Sequence, residues 1–211
     1  MHHLWDVAGA VTVAGYDQHA AAYRGATAAR PDGVRAAIDA LVAALPAGAR
    51  VLEIGSGAGR DAAALEAGGL SVRRTDITPG FVELLRADGH RADVLDPLTD
   101  DLADPERPGV PYDAVWANAS LLHVARADLP VVLRRLAEAT RPDGLFRLSL
   151  KEGDGEGWST HGSVPTPRRF VYWREQRLRE VLTDAGWQVL ETEHAEGLRG
   201  DSWLSVVAVR R

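Results

Sequence analysis

The stretch VLEIGSGAG at residues 51–59 constrains this chain more than any other. Val51, Leu52 and Ile54 form a short apolar run that reads as a buried strand. The run ends in Gly55, Gly57 and Gly59, with Ser56 between the first two. A tight strand-to-helix turn uses glycine for its unusual backbone angles. Three alternating glycines are more than such a turn needs, and a glycine turn opening a helix is a place where backbone approaches a ligand.

Around this turn the chain alternates between strand and helix patterns. Strands are expected at 50–54, 71–76, 90–95, 112–117 and 145–150, with helices at 60–67, 79–87 and 128–139 between them. Alternation of this kind gives a parallel sheet covered on both faces. A last helix at 174–185 and two strands at 188–193 and 203–209 follow, and the short link between those strands predicts an antiparallel pair at the sheet edge. Ahead of the first strand, helices are expected at 16–29 and 32–45, the second capped by Asp32. Residues 96–111 read as a solvated acidic loop, 141–144 as a turn, and 151–158 as a flexible, glycine-rich wall. In such sheets ligands sit beyond the carboxyl ends of the strands.

Three carboxylates fall where strands meet that edge: Glu53, Asp76 and Asp93. A dinucleotide site is the first competitor, but its fingerprint is G-x-G-x-x-G, and here the sixth position is Arg60. Glu53, two residues before Gly55, is poorly placed beside a pyrophosphate. A cationic ligand without phosphate tolerates it, and S-adenosylmethionine, with its ammonium and sulfonium, is such a ligand. Asp76 is suited to take both ribose hydroxyls. Asp93 is suited to an adenine amine, with the Val94 amide donating to the ring.

These residues resemble the class I S-adenosylmethionine-dependent methyltransferases, in particular the small single-domain group. VLEIGSGAG matches that family's first motif, Asp76 its second, Asp93-Val94 its third and the run YDAVWAN, residues 112–118, its fourth. The resemblance implies one domain over residues 1–211, with 1–45 a helical cap over the cofactor. It implies an α/β, Rossmann-like, doubly wound seven-stranded sheet in the order 3-2-1-4-5-7-6, strand 7 antiparallel and helices on both faces. It implies S-adenosyl-L-methionine as cofactor, S-adenosyl-L-homocysteine as product, and no metal. Cofactor contacts are then expected from Tyr16, Tyr23, Glu53, Gly55, Ser56, Gly57, Gly59, Arg60, Asp76, Ile77, Asp93, Val94 and Asn118. Tyr16 and Tyr23, two helical turns apart, share a face, and either is expected to reach the methionine carboxylate, with Arg60 as a second partner.

The acceptor is expected near the ends of the fourth and fifth strands. His123 is the candidate general base, because its ordinary pKa lies near neutrality. Ser120, Lys151, Glu152, Trp158, Arg169 and Tyr172 are the candidate substrate contacts, aromatic and basic groups suited to a planar or anionic small molecule. The seven His are scattered, which does not suit a metal site.

Composition narrows the function. With no Cys, disulfides, thiolate metal sites and a cysteine nucleophile are excluded. The net charge of −6 disfavours nucleic acid as a partner. No apolar run is long enough for a membrane span, and the first residues do not read as a signal peptide, so the expectation is a cytoplasmic monomer or homodimer. The expected activity is SN2 methyl transfer to an O or N atom of a small molecule, with Ala, Arg and Gly richness pointing to a bacterial biosynthetic role. The alternatives are a peptide or protein methyltransferase, or a non-catalytic cofactor-binding protein. A reductase on a related fold is disfavoured by Glu53 and by the lack of a Tyr-x-x-x-Lys pair.

Overall fold

The structure is a computed structural model that describes residues 7–27, 31–160, 162–197 and 200–211. His2, His3 and His161, and the last residues of the helix expected at 16–29, lie outside the described residues. The chain runs α1 (Val7–Gln18), α2 (Ala20–Ala26), α3 (Asp32–Ala44), β1 (Arg50–Ile54), α4 (Arg60–Ala67), β2 (Ser71–Asp76), α5 (Pro79–Ala87) and β3 (Ala92–Val94). It continues through β4 (Tyr112–Asn118), a 3-10 turn at Leu121–His123, α6 (Leu129–Ala139), β5 (Thr140–Lys151), β6 (Glu156–Ser159), β7 (Arg168–Val171), α7 (Glu175–Asp184), β8 (Trp187–Glu196) and β9 (Ser202–Arg210).

Seven strands form one sheet in the order β3-β2-β1-β4-β5-β9-β8. The first five are parallel, and β9 runs antiparallel to both β5 and β8. This is the expected Rossmann-like order, with a β6–β7 ribbon inserted ahead of the last two strands. Both faces are covered, because neighbouring residues of the central strands enter different cores. Val51 and Ala114 pack with Ile38 and Leu41 of α3 and Leu65 of α4. Leu52 and Val115 pack with Leu133 and Leu136 of α6 and Leu182 of α7. β1 is buried along its whole length, as a central parallel strand must be.

Several expectations change. The N-terminal helix begins nine residues earlier than expected, at Val7 rather than Tyr16, and breaks at His19, so Tyr16 and Tyr23 lie on different helices. Of the expected cap, α1 and α2 lie over the cavity described below, while α3 packs against the sheet. Its cap is Pro31, and Asp32 is already helical. The turn at 141–144 is a bulge within β5: Tyr112 pairs with Thr140 but Ala114 with Leu145, and Asp143 takes φ +59°. The loop 96–111 is not simply solvated. Asp104 is buried and accepts from the buried Arg50 guanidinium at 2.9 Å, because a cation at the start of the central strand needs a carboxylate. The wall after β5 is ordered as the antiparallel β6–β7 ribbon, Glu156 pairing with Val171 and Ser159 with Arg168.

Candidate active site

The glycine turn follows β1 as expected. Gly55, Gly57 and Gly59 all have positive φ, and Gly59 caps α4 in the left-handed conformation. The Gly55 and Ser56 amides donate to the Thr75 carbonyl at 2.9 Å each, tying the turn to β2. A side chain at Gly55 is excluded twice: φ is +78°, and an added Cβ would stand 2.3 Å from Ser120 Cβ.

Asp76, at the end of β2, is pinned by two amides: Gly57 donates to Oδ2 at 2.8 Å and Thr78 to Oδ1 at 2.8 Å. Burial raises its pKa, and these two bonds oppose the rise. Asp76 lines a cavity of about 100 Å³ beyond the strand ends, with Gly55, Gly57, Ile77, Leu95 and Phe81 as further wall. Tyr16 and Tyr23 close it from the lid side. Their rings meet edge-on at 5.6 Å, and both pack on Phe81. The lid is tied down by Asp17, which accepts from the Gly80 amide at 2.7 Å, and by Arg60, whose guanidinium donates to the Thr27 carbonyl.

Two of the expected cofactor carboxylates are placed differently. Glu53 is buried behind the glycine turn rather than lining the cavity; the Ser56 hydroxyl donates to it, and Ser56 Oγ accepts from the Thr75 amide. Burial pushes Glu53 up to about 8. Asp93 accepts from Arg73 at 2.9 Å, and neither it nor the half-exposed Val94 lines the cavity, where Leu95 stands instead.

At the end of β4, Asn118 donates to Asp61 at 2.8 Å and accepts from the Ser149 hydroxyl at 2.6 Å, and Ser149 accepts from the Ala119 amide. This chain holds Ala119 at φ +54°, an uncommon value outside glycine. Ala119 and Ser120 both line the cavity. His123 follows, partly exposed and lining the cavity. Its Nδ1 lies 2.6 Å from the Arg169 carbonyl and its Nε2 3.0 Å from the Tyr16 hydroxyl. Burial, then the opposed pull of the Arg169 carbonyl, then the charges of Arg168, Lys151 and Arg169 set its pKa, which falls to about 4. Burial pushes Tyr16 up to about 12.

Of the expected substrate contacts, Ser120 lines the cavity, and Lys151, Glu152, Trp158, Arg169 and Tyr172 do not. Lys151 is buried in an ion pair with Asp201 at 2.7 Å and lies over the Phe170 ring. Glu152 meets His194 at 3.0 Å. Arg169 supports the lid, its amide donating to Thr12 at 3.0 Å. Tyr172 follows the ribbon, its amide donating to the Gly155 carbonyl at 3.0 Å, and Trp158 is half exposed on the ribbon. Residues not singled out from the sequence include Thr12, Asp61, Thr78, Phe81, Leu95 and Ala119. Only Asp61, in the first turn of the helix after the glycines, carried a positional signal. A larger cavity of about 370 Å³, by Leu102, Tyr112 and Arg135, lies where β4 begins, the wrong end of the sheet for a ligand site. Among the described residues no group of three or more His, Cys, Asp or Glu is placed to hold a metal ion, and no helix is long and apolar enough to cross a membrane.

Residues 26–192 match the model of the methyltransferase domain family. The chain belongs to that family, and its sheet order is that of a class I, S-adenosylmethionine-dependent methyltransferase. In the solved structures it is similar to the 1,6-didemethyltoxoflavin-N1-methyltransferase of Burkholderia thailandensis, seen with 1,6-didemethyltoxoflavin and S-adenosylhomocysteine. The two are 23% identical, with TM-score 0.71, over 100% of this chain and 92% of that one. It is also similar to the [4+2]-cyclase SpnF, 17% identical with TM-score 0.70 over 96% of each chain, so the fold alone does not fix the reaction. Among curated proteins it is 27% identical over 151 residues to Hemagglutinin 1 of Eikenella corrodens, covering 71% of this chain. The chain spans about half of that relative's length, 47%.

The residues fit S-adenosylmethionine. Each Asp76 oxygen takes one amide and keeps a lone pair for a ribose hydroxyl. Ile77, Leu95 and Phe81 give an apolar slot suited to a purine. At Gly57 the nearest atom to an added Cβ is 3.9 Å away, so that side of the turn is open. The cavity is smaller than the roughly 300 Å³ usual for small-molecule sites, because Tyr16, Tyr23 and Phe81 close over it.

Proposed function

We propose that this protein transfers the methyl group of S-adenosylmethionine by SN2 displacement to an oxygen or nitrogen atom of a small organic molecule. The cofactor supplies the electrophilic methyl; the protein supplies alignment and exclusion of water. The observation that supports this reading is one cavity lined at once by Asp76, the glycine turn, Ser120, His123 and Tyr16. Asp76 holds the ribose, Gly55–Gly59 pass the methionine portion, and Tyr23 and Arg60 stand at its carboxylate end. Glu53 and Asn118 act from behind, fixing the turn and the end of β4. Asp93 and Val94 border the adenine side. The acceptor meets Ser120 and the Tyr16–His123 pair, with Trp158 an exposed aromatic on the ribbon beside it. Lys151, Glu152, Arg169 and Tyr172 hold that ribbon in place. A small acceptor from cytoplasmic bacterial biosynthesis suits a site this size. Calorimetry tests the reading: S-adenosylmethionine and S-adenosylhomocysteine should bind in the micromolar range, whereas tight NAD binding without either would sink it.

A further inference from the structure

The acceptor end of the cavity is closed by a chain of hydrogen bonds that fixes where each proton points. The Arg169 carbonyl can only accept, so the 2.6 Å contact with His123 Nδ1 places the ring hydrogen on Nδ1. Nε2 is then a bare lone pair, and the Tyr16 hydroxyl 3.0 Å away donates to it. Arg168 Nη1 donates to Tyr16 Oη at 3.1 Å, and a guanidinium cannot accept. The single Tyr16 hydrogen is therefore committed to His123. Tyr16 lines the cavity, and with its hydrogen so committed its oxygen has only a lone pair to offer a ligand.

We infer that the methyl acceptor is a neutral amine whose N–H donates to Tyr16 Oη, and that Tyr16, rather than His123, meets it. This rests on the methyltransferase reading above and narrows its acceptor from oxygen or nitrogen to nitrogen. A hydroxyl must lose its proton to become a good nucleophile, and that needs a base poised near neutrality. Among the described residues, the titratable groups lining the cavity are Tyr16, Tyr23, Asp76 and His123. Asp76 is at the ribose end, held by two amides. Both nitrogens of His123 are engaged, and Arg168, Arg169 and Lys151 face it with positive charge. Nothing there is set to pull a proton from a hydroxyl. An amine already neutral in solution, such as an arylamine, needs no such step. Its nitrogen lone pair forms the new N–C bond while the electron pair of the breaking S–C bond stays on sulfur, leaving a thioether. The positive charge passes to nitrogen as an ammonium, which keeps its proton on Tyr16 Oη and releases it to water on leaving. The same geometry removes Tyr16 from the carboxylate of the cofactor, which a hydroxyl would have to donate to, and leaves that role to Tyr23 and Arg60.

Sinefungin provides the probe, because an amine-bearing carbon replaces the sulfonium and its methyl. The wild-type protein should bind sinefungin about tenfold more tightly than S-adenosylhomocysteine, the worth of one hydrogen bond from a charged donor. Tyr16→Phe should erase that preference while S-adenosylhomocysteine affinity stays within about threefold of wild type. If Tyr16→Phe does not fold, a nitrogen-15 titration of His123 in the wild type serves in its place. Equal weakening of both ligands by Tyr16→Phe would place Tyr16 on the body of the cofactor and overturn the inference, as would a wild type with no preference. A nitrogen-15 titration should find His123 as the Nδ1–H tautomer, neutral from pH 5 to 8. Titration near 6.5 would put a base at hand and overturn the restriction to amines. If the wild type binds neither ligand, the methyltransferase reading itself fails.

Discussion

The floor and the lid of the cavity are built by different means. The floor is backbone: a glycine turn and strand ends, joined by amides that bond to Thr75 and Asp76 across adjacent strands. The lid is side chain: Tyr16 to His123, Tyr16 to Arg168 and Thr12 to the Arg169 amide, contacts between residues 107, 152 and 157 positions apart. A floor made of buried parallel strands keeps its shape whatever binds. A lid held by a few polar contacts is free to differ in what it presents. On the proposed reading, the floor holds the ribose, while the lid adds Tyr23 at the cofactor carboxylate and Tyr16 toward the acceptor.

The largest effect that divides them is at Asp76. Asp76→Ala removes the partner of the Gly57 and Thr78 amides and, on the proposed reading, the acceptor of two ribose hydroxyls. S-adenosylmethionine affinity should fall by about a hundredfold or more, roughly 3 kcal/mol for two charge-assisted hydrogen bonds. A calorimetric loss below about tenfold would shift recognition toward the lid and break the division.

Gly55→Val tests whether the floor needs its backbone conformation. The new Cβ meets Ser120 at φ +78°. The cost in folding stability should be about 2–3 kcal/mol, from left-handed strain and overlap together. Denaturant unfolding measures it. A cost below about 0.5 kcal/mol would mean that the turn adapts.

Glu53 adds a pH signature to the floor. Its folded pKa, about 8, lies above the ordinary carboxyl value of 4.5 because burial disfavours the charge. The native state thus binds the proton more tightly than the unfolded state does, and stability falls as pH rises from about 4.5 to about 8, then levels. Across that window the loss should be at most about 1.4 kcal/mol per pH unit. Glu53→Gln should flatten that slope in thermal melts across the same range. An unchanged slope would assign it to other groups.

The floor was the part most legible in the sequence, and the reason is physical. Strand ends, glycines and a carboxylate at the next strand end are local signals, and Asp76 stands where spacing put it. Where a partner is distant, sequence spacing misleads. Tyr16 and Tyr23 were expected to share one helix face; they meet because the helix breaks at His19 and folds one ring onto the other. Lys151, expected against the acceptor, is drawn away by Asp201, fifty residues on. Asp104 looked solvated because nothing nearby in sequence announces Arg50. The ribbon was read as loose because its strands are four residues each and rest on tertiary pairing. His123 was found as a position, but its tautomer follows from a carbonyl 46 residues later.

The smallest expected effect separates the lid from the floor most cleanly. Gly15 of α1 faces the ribbon end: an added Cβ would stand 2.6 Å from Thr166 Oγ1, which must move to admit it. Gly15 has no positive φ, so Gly15→Val strains the contact with the ribbon and not the backbone. Ala or Val in place of glycine also favours the folded helix slightly through the unfolded chain. Global stability should thus change by less than about 1 kcal/mol, while α1 lifts from β7 and its amides exchange faster. Cofactor affinity should fall about threefold, since the lid closes over a ligand that the floor already holds. The sinefungin preference should fall with it, because Tyr16 sits one residue beyond the wedge. A loss of cofactor affinity as large as that of Asp76→Ala would show that lid and floor act as one unit. A lid that exchanges faster with cofactor affinity nearly intact would confirm that the floor binds first and the lid only presents Tyr16.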